Sequence, residues 1–411
     1  MELANRRILV LGGGRSGLAA VRLLLHEGAR ATLADRAPNE TLRTELARLG
    51  VPLATAETLP QEPFDRCIAS PGFPLDHPWI RDCNRRRIPI SSEIDLAASR
   101  FHGTAVAITG SKGKSSVVKL IADTLTAAGR PAVPCGNYGT PFAQVALDTP
   151  QAIAIVEISS FQMEHTNRFA PDAAAILNIQ PEHLDRHHTR HAYAALKEKL
   201  LALAKPGALT LRPHDLGTPP FDADGTYFGN PILAPALDAA VRILRHLRLP
   251  DPAIARGIRT FQPLPHRYQL IAEVDQIRFI DDSKATNLAA LLAAVQMTQG
   301  PIRLIAGGLP KENDFTPAQF LLSKRAKKVY LIGSSAQTMA NAWQSAVPCL
   351  IAETLDRAVA QAWADANPGD TILLSPGTAS FDQFNSYGER GERFARQVRE
   401  VTASPRQAKE Y

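Results

Sequence analysis

The sequence predicts an α/β protein of three consecutive α/β domains: a Rossmann-like N-terminal domain, a central P-loop ATPase domain and a Rossmann-like C-terminal domain. Three observations lead there. Short apolar runs of strand length alternate with helix-period stretches, the pattern of parallel, doubly wound sheets. Two of those runs end in glycine-rich turns that open a helix, GGGRSG (12–17) and TGSKGKSS (109–116). A chain of 411 residues also exceeds one ordinary core. The expected domains are 1–92, 93–263 and 264–411.

The elements follow in order. RRILVLGG (6–13) reads as a strand, SGLAAVRLLLHEG (16–28) as a helix stopping at Gly28, and ARATLAD (29–35) and RCIASPG (66–72) as strands. TAVAITG (104–110) is a strand followed by a helix from about Ser115. AIAIVEIS (152–159) and DAAAILNI (172–179) are apolar enough to be buried on both faces. Prolines blur the reading from Lys205 to Leu264, where only DAAVRILRHL (238–247) is clearly helical. QIRFID (276–281), IRLIAGG (302–308), KKVYLIG (327–333) and DTILLSP (370–376) are the strands of the last domain.

Composition bounds the function. Apolar residues make up 45% and charged residues 21%, an ordinary soluble balance. The net charge of +6 suits anionic ligands, but RDCNRRR (81–87) reads as a solvated helix face rather than a nucleic-acid patch. Four cysteines (Cys67, Cys83, Cys135, Cys349) form no CxxC pair, which favours a reducing compartment over disulfides or a thiolate zinc site. No run approaches a membrane span, and the N-terminus reads as a first strand rather than a signal peptide. The expected location is the cytoplasm.

Chemistry concentrates at the strand ends. Gly12, Gly14 and Gly17 satisfy GxGxxG, and Asp35 ends the second strand where an acid can reach a ribose. A ligand-free tight turn, or a nucleotide other than NAD, satisfies the same spacing. In the second turn, backbone amides from Gly110 to Ser116 would cradle phosphates, with Lys114 neutralising β/γ charge and the Ser115 hydroxyl on Mg2+. Glu157 ends a buried strand and could hold Mg2+ near the γ-phosphate. NIQPEHLDRHH (178–188) crowds Glu182, His183, Asp185, His187 and His188 together. Zinc is one reading, without an HExxH helix to support it. The more economical reading makes His183 one ligand or substrate contact and leaves the others solvated. In the last domain Asp282 can reach a ribose, while Lys284, Thr286, Lys311 and Ser380 cluster at three strand ends, suiting a substrate with more than one carboxylate.

Taken in order, GxGxxG, TGSKGKS, EISSFQ, NIxxEHLDRH, PHR, DDSKATN, GGxxKxxDF and LSPGTASFDQF resemble the Mur ligase family, over roughly residues 6–199 and 264–395. The resemblance implies a domain for a UDP-linked sugar peptide, a central ATPase and a domain that brings the amino acid. It turns GxGxxG into a uridine diphosphate site, with Arg15, Ser16, Asp35, Arg36, Gly72, Asn137 and His183 contacting that substrate. It assigns ATP to Gly110, Ser111, Lys112, Gly113, Lys114, Ser115, Ser116, Arg267 and Asp282, and glutamate to Lys284, Thr286, Lys311, Ser380 and Tyr387. It makes Lys114, Glu157, His183 and Lys197 catalytic, and Ser115, Glu157, His183 and Lys197 the ligands of two Mg2+ ions. Lys197 would be carbamylated, with Lys199 as the fallback. The implied reaction joins D-glutamate, or alternatively L-glutamate, to UDP-N-acetylmuramoyl-L-alanine through an acyl phosphate, in a monomer with small-molecule partners only; a non-catalytic nucleotide-binding module is the other reading.

The chain departs from the family at four places. The segment between Lys199 and Pro265 is short, and no HNxxN motif for adenine occurs in it. The nearest stretch, NPILAPALDAA (230–240), has Pro235 where an asparagine is expected. Glu182 stands for an aspartate, Tyr387 for a phenylalanine, and Lys112 for an asparagine, where it would add a second cation beside the triphosphate.

Overall fold

The computed structural model describes residues 2–180, 182–230 and 232–403. It divides into two compact units, Met1–Phe261 and Gln262–Tyr411. Among the described residues the first unit holds two sheets and the second holds one.

In the first sheet, β1 (Arg7–Leu11), β2 (Arg30–Ala34), β3 (Leu53–Ala54), β4 (Arg66–Ala69) and β5 (Ile90–Ser92) lie in the order β3-β2-β1-β4-β5, all parallel. The chain builds outward from β1 in one direction and then in the other. The turn after β1 therefore stands at a topological switch point, where open α/β sheets take ligands. Glycine is obligatory in that turn: a Cβ on Gly17 would lie 1.9 Å from the Gly12 carbonyl oxygen, and Gly12 has φ +90°.

The second sheet orders β6 (Thr104–Thr109), β7 (Ala132–Gly136), β8 (Ile153–Glu157), β9 (Ala173–Ile176) and β10 (Leu209–Leu211) as β10-β9-β6-β8-β7, again all parallel. β6 is central. Its register sets Ile108 opposite Glu157 on β8 and Thr109 opposite Ile176 on β9, so the loop after β6 lies between the ends of both neighbours. The two sheets share one apolar core, in which Ile8, Val10 and Leu24 join Ala107, Phe142 and Val156. Separate clusters cover their other faces, as parallel sheets require.

The third sheet contains β11 (Gln269–Val274), β12 (Ile277–Asp281), β13 (Ile302–Gly307), β14 (Ala326–Ile332), β15 (Cys349–Glu353) and β16 (Thr371–Leu374) in the order β11-β12-β16-β13-β14-β15. Only β11 is antiparallel, joined to β12 through Asp275 and Gln276, both at positive φ as a tight hairpin turn demands. Because β16 slots between β12 and β13, the loops leaving those three strands are neighbours. The proline-rich stretch contains β10 and two helices, Ala234–His246, legible in the sequence over 238–247, and Asp251–Thr260, which was not. Residues 404–411 of the last expected domain lie outside the described residues.

Candidate active site

At the switch point of the first sheet, Gly13 N–H donates to Asp35 Oδ2 at 2.7 Å and Ala37 N–H to Oδ1 at 2.9 Å. Asp35 thus braces the glycine turn. Arg36 is exposed, its guanidinium 5.3 Å above the Trp79 ring. Arg15 donates to the Gly139 carbonyl at 2.8 Å, and Ser16 lies half-buried in the first turn of the helix Arg15–His26. Gly72 is exposed on the loop after β4.

The loop after β6 runs into the helix Lys114–Ala127 through Gly110 (φ +150°) and Gly113 (φ +83°), conformations that favour glycine. Lys114 Nζ folds back onto the carbonyls of Gly110 (2.8 Å) and Ser111 (2.9 Å). Ser115 Oγ donates to Glu157 Oε2 at 2.7 Å, and Asn137 Nδ2 donates to the other carboxylate oxygen at 2.6 Å. Glu157 is 2% exposed and Ser115 5%. Two buried oxygens this close at the start of a phosphate loop are a hard donor set that fits Mg2+. Among the described residues no cluster of three or more His, Cys, Asp or Glu could hold a metal alone.

Asn178, which the sequence reading passed over, organises this loop. Its Oδ1 accepts from the amides of Ser111 (3.0 Å) and Lys112 (2.8 Å), and its Nδ2 donates to the Lys112 carbonyl (3.0 Å). Ser116 Oγ lies 3.2 Å from the Tyr227 hydroxyl.

The histidine-rich stretch corrects the sequence reading. His183 is exposed at φ +55°, with its ring 4.7 Å from Phe161. Partial burial lowers its pKa, helped by Lys114 and Lys197 against the opposing pull of Glu182 and Asp185. Its neighbours are not all solvated. His187 is buried, with Nε2 2.9 Å from Ser160 Oγ, and Glu182 is half-buried and paired to Lys112 at 2.5 Å. Lys112, expected as a second cation beside the triphosphate, is thus paired with Glu182 here. The turn of the chain at His183 folds the segment inward, which residue types alone do not announce.

Lys197 is 1% exposed on the helix Arg190–Ala202. Its Nζ donates to the Gly110 carbonyl at 3.1 Å and lies 4.5 Å over the Tyr193 ring. Burial, reinforced by the charge of Lys114, brings its pKa down to about 7. Tyr193 closes the group with its hydroxyl 3.0 Å from Ser111 Oγ. Lys199 instead donates to the Met163 carbonyl, 3.1 Å away.

In the second unit, Asp282 follows β12 and accepts from Ser375 Oγ (3.0 Å) and the Tyr268 amide (3.1 Å). Burial pushes its pKa up to about 7, with those bonds and the Arg267 charge opposing. Arg267 is half-buried beside His266, whose Nδ1 is 2.7 Å from Asp281 Oδ2. Lys284 Nζ sits 3.8 Å over the Tyr387 ring. Thr286 is half-buried on the same loop, Lys311 is exposed after β13, and Ser380 is 2% exposed after β16. Within this unit the structure brings Lys284 and Tyr387 into direct contact and puts the others on adjoining loops.

Two family models match the residues that build these features: the Mur ligase middle domain over residues 108–216, and the Mur ligase, glutamate ligase domain over 266–377. Relatives named UDP-N-acetylmuramoylalanine–D-glutamate ligase include those of Koribacter versatilis (35% identical, covering 98% of this chain and 99% of the relative) and Acidobacterium capsulatum (34%, covering 96% of each). Solved structures share the fold at low identity. One is the MurF ligase of Thermotoga maritima in complex with ADP (TM-score 0.59, 15% identity, covering 98% of each chain). Another is the UDP-N-acetylmuramate-alanine ligase MurC of the same organism (TM-score 0.57, 15%, covering 96% of this chain and 100% of that one). With identity above 30% along nearly its whole length, the chain belongs to the Mur ligase family, beside relatives named as its D-glutamate-adding members.

Proposed function

We propose that this protein is the ATP-dependent, ADP-forming ligase that adds D-glutamate to UDP-N-acetylmuramoyl-L-alanine in peptidoglycan precursor synthesis. The observation that carries this is the buried meeting of Ser115 and Glu157 at the mouth of a glycine loop, in a chain akin end to end to ligases of that name.

A carboxylate and an amine do not condense at neutral pH without activation. A terminal carboxylate oxygen attacks the γ-phosphorus, ADP leaves, and an acyl phosphate remains. The glutamate amine then attacks the acyl carbon, and the tetrahedral adduct expels phosphate while the amine proton passes to solvent. Lys114, released from the Gly110 and Ser111 carbonyls, would neutralise the transferring phosphoryl group. Mg2+, when bound, offsets charge on that group, and Ser115 and Glu157 are the residues that would hold it. Arg15, Arg36, Asn137 and Gly72 would take the UDP-linked substrate; Lys284, Thr286, Lys311, Ser380 and Tyr387 would take the amino acid; Arg267 and Asp282 would take the nucleotide.

Lys197 is the carbamylation site in this reading. A buried amine with its pKa near 7 is largely neutral at physiological pH, and the neutral amine is the form that attacks CO2. Nζ–C bond formation with loss of a proton gives a carbamate, which with His183 would offer oxygen and nitrogen ligands to a second Mg2+. Intact mass in bicarbonate buffer tests this through a gain of one CO2 that Lys197→Met lacks.

The cytoplasm is the compartment that fits. ATP and the UDP-sugar are found there, all four cysteines are free thiols, and among the described residues no helix is long and apolar enough to cross a membrane. The deciding assay couples ADP release to UDP-N-acetylmuramoyl-L-alanine with D- and L-glutamate supplied separately. ADP release with the D-isomer supports the reading; release with the L-isomer alone reassigns the acceptor, and release with neither sinks it.

A further inference from the structure

Arg390 lies in the first turn of the helix Tyr387–Thr402 and is 0% exposed. Its guanidinium makes four hydrogen bonds, none to an acid. Nε donates to Ser283 Oγ at 3.0 Å, Nη2 to the carbonyls of Ser283 (2.9 Å) and Thr378 (3.2 Å), and Nη1 to the Ala379 carbonyl (3.3 Å). Ser283 Oγ in turn donates to the Tyr387 carbonyl at 2.8 Å. On the third side, a Cβ added to Gly308 would come within 3.1 Å of Nη1, so the guanidinium also abuts the loop after β13. One side chain therefore ties the loop after β12 to the loop after β16 and abuts a third. These are the loops that carry Lys284 and Thr286, Ser380, and Lys311.

Burying a guanidinium on neutral partners is unfavourable, and an apolar residue could fill the same space. Among the described residues no carboxylate lies within 4.0 Å of Arg390. Asp382 and Asp281 act on it only at longer range; Asp281 pairs with His266 at 2.7 Å, and Asp382 accepts the Ser334 amide at 2.9 Å. Burial lowers its pKa only to about 10, so the charge is present at neutral pH.

We infer that Arg390 is a positioning residue for the amino-acid substrate: it sets the separation of the loops after β12 and β16 and lends them, from beneath, positive charge that a dicarboxylate answers. The inference rests on the reading that these strand ends take glutamate. Geometry explains why arginine stands here. A planar fork with five donors can bond three carbonyls and a hydroxyl on two loops at once, and a lysine ammonium cannot.

The test is steady-state kinetics on the full chain, with each substrate varied in turn, for Arg390→Met, Arg390→Lys and Ser283→Ala. Arg390→Met is expected to raise the glutamate KM about tenfold or more while the KM values for ATP and the UDP-linked substrate stay within about twofold. Arg390→Lys is expected to recover part of the loss by restoring the charge, and Ser283→Ala to show a glutamate-specific rise of about threefold. An unmoved glutamate KM in a folded Arg390→Met, or an equal rise for all three substrates, overturns the inference. Should thermal melting show Arg390→Met unfolded, Arg390→Lys and Ser283→Ala decide, and the inference falls if neither moves the glutamate KM selectively. A wild-type chain that releases no ADP with glutamate overturns the functional reading and the inference together, a result distinguishable from an insensitive Arg390→Met.

Discussion

Lys112 Nζ and Glu182 Oε1 meet at 2.5 Å, joining the phosphate loop to the segment that carries His183. Both side chains are partly shielded, at 29% and 16% exposure, so the attraction is less screened than at an open surface. A triphosphate arriving at the loop competes with Glu182 for this cation. Glu182→Gln should therefore tighten ATP binding about two- to tenfold at low salt, with the gain shrinking as salt rises. Lys112→Asn should weaken it in the same conditions. Calorimetric titration at two salt concentrations reads both, and an affinity that Glu182→Gln leaves alone at low salt would remove Lys112 from the nucleotide's surroundings.

Lys197 should make the protein less stable as pH falls. Its folded pKa is depressed from 10.5 to about 7, so between those values the unfolded chain binds the extra proton. Stability then rises as pH climbs from about 7 to 10.5, and below pH 7 the full penalty applies. The size is on the order of 3–5 kcal/mol. In CO2-free buffer at pH 7, Lys197→Met should melt several degrees higher than wild type, with a flatter pH dependence, and should lose ligase activity. A melting temperature equal to wild type across that range would contradict the desolvation argument.

The base of the nucleotide should be weakly selected. Ala236 Cβ stands 3.8 Å from where a Cβ on Gly113 would lie, so the helix Ala234–His246 reaches the phosphate loop. Its first turn offers Ala234, Pro235 and Ala236, with no polar side chain to read an adenine edge. ATP and GTP should support turnover with kcat/KM within about tenfold of each other, since discrimination of that kind rests on buried polar groups. A preference for ATP of a thousandfold would show that another part of the chain reads the base.

The second unit buries an ion pair that is costly to break. Arg303 Nε lies 2.8 Å from Asp370 Oδ2, the two side chains are 8% and 1% exposed, and Lys327 adds a contact at 3.2 Å. Asp370→Asn leaves the buried Arg303 charge without its acid and should cost about 3–5 kcal/mol. Chemical denaturation followed by the fluorescence of Trp343 and Trp363, both in this unit, measures it. A loss under about 1 kcal/mol would mean that water reaches the pair.

The sheets show where sequence reading succeeds. Every interior strand of the three sheets was legible as an apolar run, from β1 through β16. The strands that were not legible, β3, β5, β7, β10, β11 and β15, are the six sheet edges. An interior strand is covered on both faces and paired on both sides, so nearly every residue must be apolar. An edge strand is short, as in Leu53–Ala54, or only half-covered, as in the mixed pattern of Gln269–Val274, and its pattern dissolves into its surroundings. The site divides in the same way. Lys114, Ser115 and Glu157 were legible because a glycine turn and a strand end are local signals. Asn178 and Arg390 were not, because their partners lie 66 and 107 residues away along the chain.

By itself, then, the sequence determined the three-sheet α/β architecture and the phosphate loop, and marked Ser115 and Glu157 one by one, since each of those signals depends on spacing within a few residues; that the two meet was decided by the fold. Only the tertiary structure decided that Lys112 is held by Glu182, that His187 is buried, that Asp35 braces its own glycine turn, and that Arg390 ties the loops of the third sheet together. Those outcomes turn on which distant side chain arrives in a dry, low-dielectric place, where an ion pair or hydrogen bond is strong and a missing partner is costly.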